Sequence, residues 1–172
     1  MYKFENTDAT IEYYMASSNI CSVYEFDENF EKNCVIALGQ LKHLFGKPRY
    51  ITNNLENQFS YIIKAIDENG NCLLLEVYCA SSGPAIGGLN DSNSHLAAQE
   101  LALYIRQSPT VDYEYEGYYL DTMSKVQYSI KNGVPSWKET EISTKEFENF
   151  TEEEVEEVKK NLIDLRNKIK RV

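Results

Sequence analysis

The chain has 172 residues, enough for one domain that buries a core of its own. With 42% hydrophobic and 26% charged residues it lies outside the composition of disordered chains. Its 27 acidic and 17 basic residues give a net charge of −10, which disfavours nucleic acid and anionic membranes as ligands and favours cationic surfaces.

The charge is unevenly placed. Residues 151–172 hold six acidic and six basic side chains, so the entire net charge sits in residues 1–150. Residues 9–16 (ATIEYYMA) and 19–26 (NICSVYEF) are rich in β-branched and aromatic types and read as strands. The period then changes. Phe30, Cys34, Leu38, Leu41 and Phe45 recur at three- and four-residue steps, predicting a helix over 28–45 that Gly46 and Pro48 stop. QFSYIIKAI and CLLLEVYCA follow as strands joined at Asn69-Gly70, the second apolar on both faces as a central strand would be.

Residues 81–93 (SSGPAIGGLNDSN) read as a loop. SHLAAQELALYIRQS is expected to form a helix capped by Ser92 or Ser94, with Leu96, Leu101, Tyr104 and Ile105 facing inward. Residues 111–142 alternate as three strands or two long ones, with Asn132-Gly133 as a second hairpin turn. The capping box Thr151…Glu154 opens an expected long C-terminal helix over about 151–172, with Val155, Val158, Leu162, Leu165, Ile169 and Val172 along one seam. That seam allows a homodimer but is too short for a coiled coil. With neither repeats nor a long linker, the expectation is a single α+β domain, residues 1–172, with a mainly antiparallel sheet packed by helices.

No catalytic constellation stands out. Cys21, Cys34, Cys72 and Cys79 lack CxxC spacing and the two histidines lie apart, so neither a metal nor another cofactor is expected. Buried inert thiols in a cytoplasm are the simplest reading of the cysteines, and the start MYKFENTDATIEYY does not read as a signal peptide. His43 complements the end of its helix, and His95 reads as a surface residue.

Two stretches are candidate sites. In the Ser81–Gly88 loop, the backbone amides around Ser82, Gly83, Gly87 and Gly88 offer an anion cradle, although the spacing is neither that of a P-loop nor of a dinucleotide fingerprint. The stretch DYEYEGYYLD packs Asp112, Glu114, Glu116 and Asp121 among Tyr113, Tyr115, Tyr118 and Tyr119. Strand alternation alone explains the interleaving. The lack of bases nearer in sequence than Arg106 and Lys125 instead favours a docking surface for a basic protein, with Trp137 as a further aromatic anchor.

FGKPRYITNNLENQFSYIIKAIDENGN, SSGPAIGG and VQYSIKNGVPSWKE together resemble small bacterial immunity proteins of polymorphic toxin systems, over about residues 38–140. The resemblance implies a non-enzymatic cytosolic inhibitor that binds a cognate toxin domain and blocks its active site or substrate cleft. It implies no particular fold and transfers no catalytic residues. Two other readings stand beside it: a phage-encoded inhibitor of a host defence nuclease that mimics nucleic acid, and a small-molecule or anion-binding domain using the Ser81–Gly88 loop.

Overall fold

The computed structural model of the chain describes residues 1–7, 19–24, 29–48, 50–51, 59–80, 83–119, 124–141 and 151–154. In chain order these form β1 (Lys3–Asn6), β2 (Asn19–Ser22), α1 (Phe30–Phe45), β3 (Tyr50–Ile51), β4 (Phe59–Ile66), β5 (Cys72–Ala80), β6 (Gly83–Gly87), α2 (Ser92–Arg106), β7 (Tyr113–Tyr119), β8 (Ser124–Lys131) and β9 (Val134–Glu141). The α+β class with antiparallel pairing is as expected, but the strands divide between two sheets instead of one. One sheet runs β1-β4-β5-β6-β2, with β3 also pairing β4, and a second runs β7-β8-β9. Every pairing is antiparallel.

Both hairpins turn where Asn-Gly places them. Gly70 has φ +82°, and the Asp67 carboxylate ties that turn by accepting from the backbone N–H of Asn69 (2.9 Å) and Asn71 (2.8 Å). In the other, Asn132 and Gly133 have φ of +52° and +78°, the paired left-handed residues of a tight β-turn. Helix α1 begins at Asn29, whose side chain accepts from Lys32 N at 3.1 Å. It ends at Gly46, where the Tyr61 hydroxyl donates to the free carbonyl at 2.8 Å.

The residue pattern puts Phe59, Tyr61, Ile63 and Ala65 of β4 and Leu75, Val77 and Cys79 of β5 on one sheet face, all buried in a cluster with α1 and α2. The same cluster takes in Tyr113, Tyr128 and Ile130 from the second sheet, so one core joins the two sheets through α1. There the approach is close. Val111 N–H donates to Gly39 O at 3.2 Å, and a methyl group on Gly39 would stand 2.5 Å from Ile130 Cδ1 and 3.2 Å from Thr110 Cβ.

The sequence reading is corrected in several places. Cys34 and Cys79 are not thiols: they form a disulfide across the core, tying α1 to β5 over a sequence separation of 45. A loop of that length contributes on the order of 4 kcal/mol by restricting the unfolded chain. The bond also removes the cysteine argument for a cytoplasm, because disulfides persist mainly in oxidising compartments. Cys21 and Cys72 are the free cysteines.

Residues 83–87 are not loop but strand β6, held between β5 and β2 and wholly buried. Helix α2 is capped by Asp91, which accepts from Ser94 N at 2.7 Å, rather than by Ser92 or Ser94. Its inward face is Ala97, Ala98, Leu101, Ala102 and Ile105, while Leu96 and Tyr104 are 56% and 45% exposed. Small alanines let the helix axis lie close to the sheet, and that choice of face turns Leu96 and Tyr104 outward. The N-cap at Thr151 is formed, with its hydroxyl accepting from Glu154 N at 3.1 Å. Only Glu152–Glu154 are seen to be helical; the rest of the expected C-terminal helix, residues 155–172, and the expected strand at 9–16 lie outside the described residues.

The Gly39 contact yields a sign test. Gly→Ala inside a helix ordinarily stabilises by about 1 kcal/mol. Here Gly39→Ala is expected to lower stability by about 1–2 kcal/mol through overpacking, measured by urea unfolding. Adding Ile130→Val, which removes the obstructing Cδ1 methyl, should recover part of that loss although it shrinks the core.

Candidate functional site

The acid–tyrosine stretch occupies β7 up to Tyr119. Register pairs Tyr113 with Ile130, Tyr115 with Tyr128 and, across β8, Tyr128 with Trp137, which sets these residues on the inner face. Tyr113 is buried, and its hydroxyl donates to Val35 O of α1 at 2.8 Å while Lys42 lies 5.2 Å from its ring centroid. Tyr115 is half-buried against the core with its ring 6.1 Å from that of Tyr128, and Trp137 is half-buried beside them. These aromatic groups join the second sheet to α1.

The acids have tasks as well. Asp112 clamps the β8–β9 turn, accepting from Asn132 N at 2.7 Å and Gly133 N at 3.1 Å. Glu114 meets Lys131 at 2.8 Å, and Glu116 accepts from Gln127 Nε2 at 3.3 Å. On the outer face of the sheet, Glu114, Glu116, Gln127, Ser129, Lys131, Ser136 and Lys138 line an open groove of about 450 Å³. Lys131 and Lys138 share that groove with Glu114 and Glu116, and Lys131 pairs with Glu114. Tyr118 and Tyr119 continue β7, with their side chains outside the described residues, as is the whole of Asp121. Of the candidate residues whose side chains are described, Asp112, Glu114 and Glu116 are exposed and Tyr115 and Trp137 are half-buried.

The glycine-rich candidate is changed more deeply. The β6 backbone is hydrogen-bonded to β5 on one side and β2 on the other, so Gly83 and Gly87 have no open amide cradle. Gly88 is packed so closely that an added Cβ would lie 3.0 Å from Leu75 Cδ2 and 3.1 Å from Ile20 Cδ1. Ser82 lies outside the described residues. Glycines here admit close packing beside a buried strand.

A feature the sequence reading passed over is Glu76, in the middle of β5. It is 1% exposed, on the sheet face away from α1 and α2, and Ser60 Oγ donates to its Oε1 at 2.8 Å. Among the described residues it is the one buried charged side chain. The single acid inside LLLEVY was the available signal. His95 Nε2 is 2.8 Å from Asn90 Oδ1, a contact that fastens the start of α2. Among the described residues no group of three or more His, Cys, Asp or Glu is placed to hold a metal ion, and no helix is long and apolar enough to cross a membrane.

No known protein family matches the chain, and no characterised protein or solved structure shows significant similarity to it.

Burial pushes the hydroxyls of Tyr61, Tyr113 and Tyr115 far above their ordinary pKa of 10.0. Folded, they keep protons that the unfolded chain sheds, so their contribution is fully present below pH 10 and lost as pH rises beyond it. Unfolding free energies from urea titrations at about pH 9 to 11 should therefore fall by about 1.4 kcal/mol in total for each such tyrosine, most of it above pH 10. Tyr113→Phe should start less stable, having lost the bond to Val35 O, yet fall less steeply. An unchanged slope would mean that Tyr113 is not buried.

Proposed function

We propose that the protein is a non-enzymatic binding protein, an immunity-type inhibitor that captures a basic toxin domain. The observation that carries this reading is the outward display of its charge. The chain has net charge −10, and among the described residues Glu76 alone of the charged side chains is buried. Apart from Glu76, the charged side chains of the described residues therefore contribute to a surface field. A field of that sign draws in a cationic surface, speeds encounter and repels nucleic acid and anionic lipid. A toxin that cleaves nucleic acid carries a basic substrate cleft, and an acidic protein seated there competes with the substrate for the same positive charges. The local resemblance to immunity proteins over residues 38–140 agrees with this reading, as it would for any inhibitor that works by occupying a site.

Affinity capture from the native source at low ionic strength, followed by stopped-flow association with the captured protein, tests the proposal. The expected partner is basic and arrests growth when produced alone, and co-production of this protein restores growth. Its association rate should fall by about tenfold or more between roughly 50 and 500 mM salt as the Debye length shrinks. An acidic or harmless partner, or an association rate indifferent to salt, would contradict it.

A further inference from the structure

Helix α2 carries apolar surface that is exposed among the described residues. Leu96 and Leu103, seven residues apart on one side of the helix, are 56% and 46% exposed, and Tyr104 beside them is 45% exposed. The Tyr104 ring is fixed against Phe4 (centroids 5.6 Å apart) and Phe45 (6.3 Å), which holds it as a firm wall. Between this side of α2, strand β1 and the Asp67–Asn69 turn run two open grooves of about 560 and 580 Å³ that share Met1, Tyr2, Glu100 and Leu103. Together they follow α2 from Leu96 to Gln107, about 16 Å at the helical rise, which matches three turns of a second helix.

The rim of this channel is acidic. Asp67, Glu68 and Glu100 line it, and Lys3, the one Lys, Arg or His among its lining residues, is already engaged by Glu5 at 2.8 Å. The hydrogen bonds from Asn71 hold the Asp67 carboxyl below its usual range, so it stays charged. The amino group of Met1 sits 3.8 Å from Glu68 and 4.0 Å from Glu100, which shows both carboxylates within reach of a single cation.

We infer that this channel is the docking site for an amphipathic helix of the partner protein, with an apolar ridge on Leu96, Leu103 and Tyr104 and Lys or Arg on its flanks facing Asp67, Glu68 and Glu100. The inference rests on the binding function proposed above and names its surface. Charge decides the occupant. A second copy of this chain would bring another net charge of −10, and a two-fold pairing of α2 would set Glu100 near its own image. An anionic membrane or a nucleic acid would meet the same acidic rim. A basic helix satisfies both components, apolar contact at the floor and opposite charge at the edge.

The test uses the full chain and three labelled synthetic peptides of about 18 residues, the length of five helical turns. One has leucines on a single helical face and lysines elsewhere; the second keeps the leucines and replaces lysine by glutamate; the third scrambles the first so that it has no apolar face. The leucine–lysine peptide is expected to bind saturably, and each of the others about tenfold more weakly or less. Leu96→Ser with Leu103→Ser, both exposed and so expected to leave the urea midpoint in place, should weaken binding of the first peptide by about tenfold. Glu68→Lys with Glu100→Lys should do the same and reduce its salt dependence.

Equal binding of the first and third peptides, no saturable binding, or indifference to the leucine substitutions would overturn the inference. So would a dimer in sedimentation that Leu96→Ser and Leu103→Ser abolish, since the face would then belong to a second copy. Those failures concern the surface alone. A captured basic toxin whose affinity ignores the leucine substitutions would leave the binding function standing and remove only the groove.

Discussion

At Gly39 the Ile130 side chain of the three-stranded sheet packs into the space a Cβ on α1 would take, while elsewhere on the same helix Cys34 is bonded to Cys79 of β5. Helix α1 is thereby fixed to both sheets, and most other placements follow from that. Tyr113 reaches Val35 O because the sheet lies that close, and the β7–β9 aromatic residues become part of the common core instead of a surface. Helix α2 is set beside α1 by buried Gln40, which accepts from the Tyr24 hydroxyl at 2.6 Å and donates to Ser108 O at 3.0 Å. Arg106 adds a bond to Val23 O at 3.0 Å. With its alanine face committed inward, α2 has only one side on which Leu96 and Leu103 can lie.

The same constraint sorts the charges. Carboxylates near the second sheet are used locally: Asp112 in a turn, Glu114 with Lys131, Glu116 with Gln127. Only Glu114–Lys131 is a charge pair, and one this exposed adds little to stability, but with Lys138 on the same face two ammonium groups offset Glu114 and Glu116 there. Along α2 and the Asp67–Asn69 turn, acids border apolar surface, and the cations lining it are Lys3, paired with Glu5, and the Met1 amino group near Glu68 and Glu100. Encounter driven by charge and retention driven by apolar contact call for both kinds of surface in one place. The α2 channel provides that combination; the outer face of β7–β9 does not.

Much of the fold was legible because its signals are local. Two Asn-Gly turns, the period of α1 and the alternation in β7 to β9 each depend on residues within one element. What escaped depends on partners far along the chain. The pairing of Cys34 with Cys79 cannot be read from their spacing, because it arises from α1 crossing β5. The run GPAIG resembles a loop by composition, yet its glycines serve close packing between β5 and β2. Leu96 and Tyr104 fit an inward stripe by hydropathy, and only the competing alanine stripe, which permits a closer approach to the sheet, decides against them. The acid–tyrosine stretch lacks bases nearby in sequence for a related reason: Lys131, which pairs with Glu114, and Lys138 on the same face come from neighbouring strands.

Hydrogen–deuterium exchange on the complex with the captured basic partner measures the central claim most directly, since it locates the contact without altering a residue. The account predicts new protection over residues 96–107, the Asp67–Asn69 turn and β1, with β7 to β9 exchanging as in the free protein. Protection centred on Glu114, Glu116 and the exposed face of β7 to β9, with residues 96–107 unchanged, would contradict it.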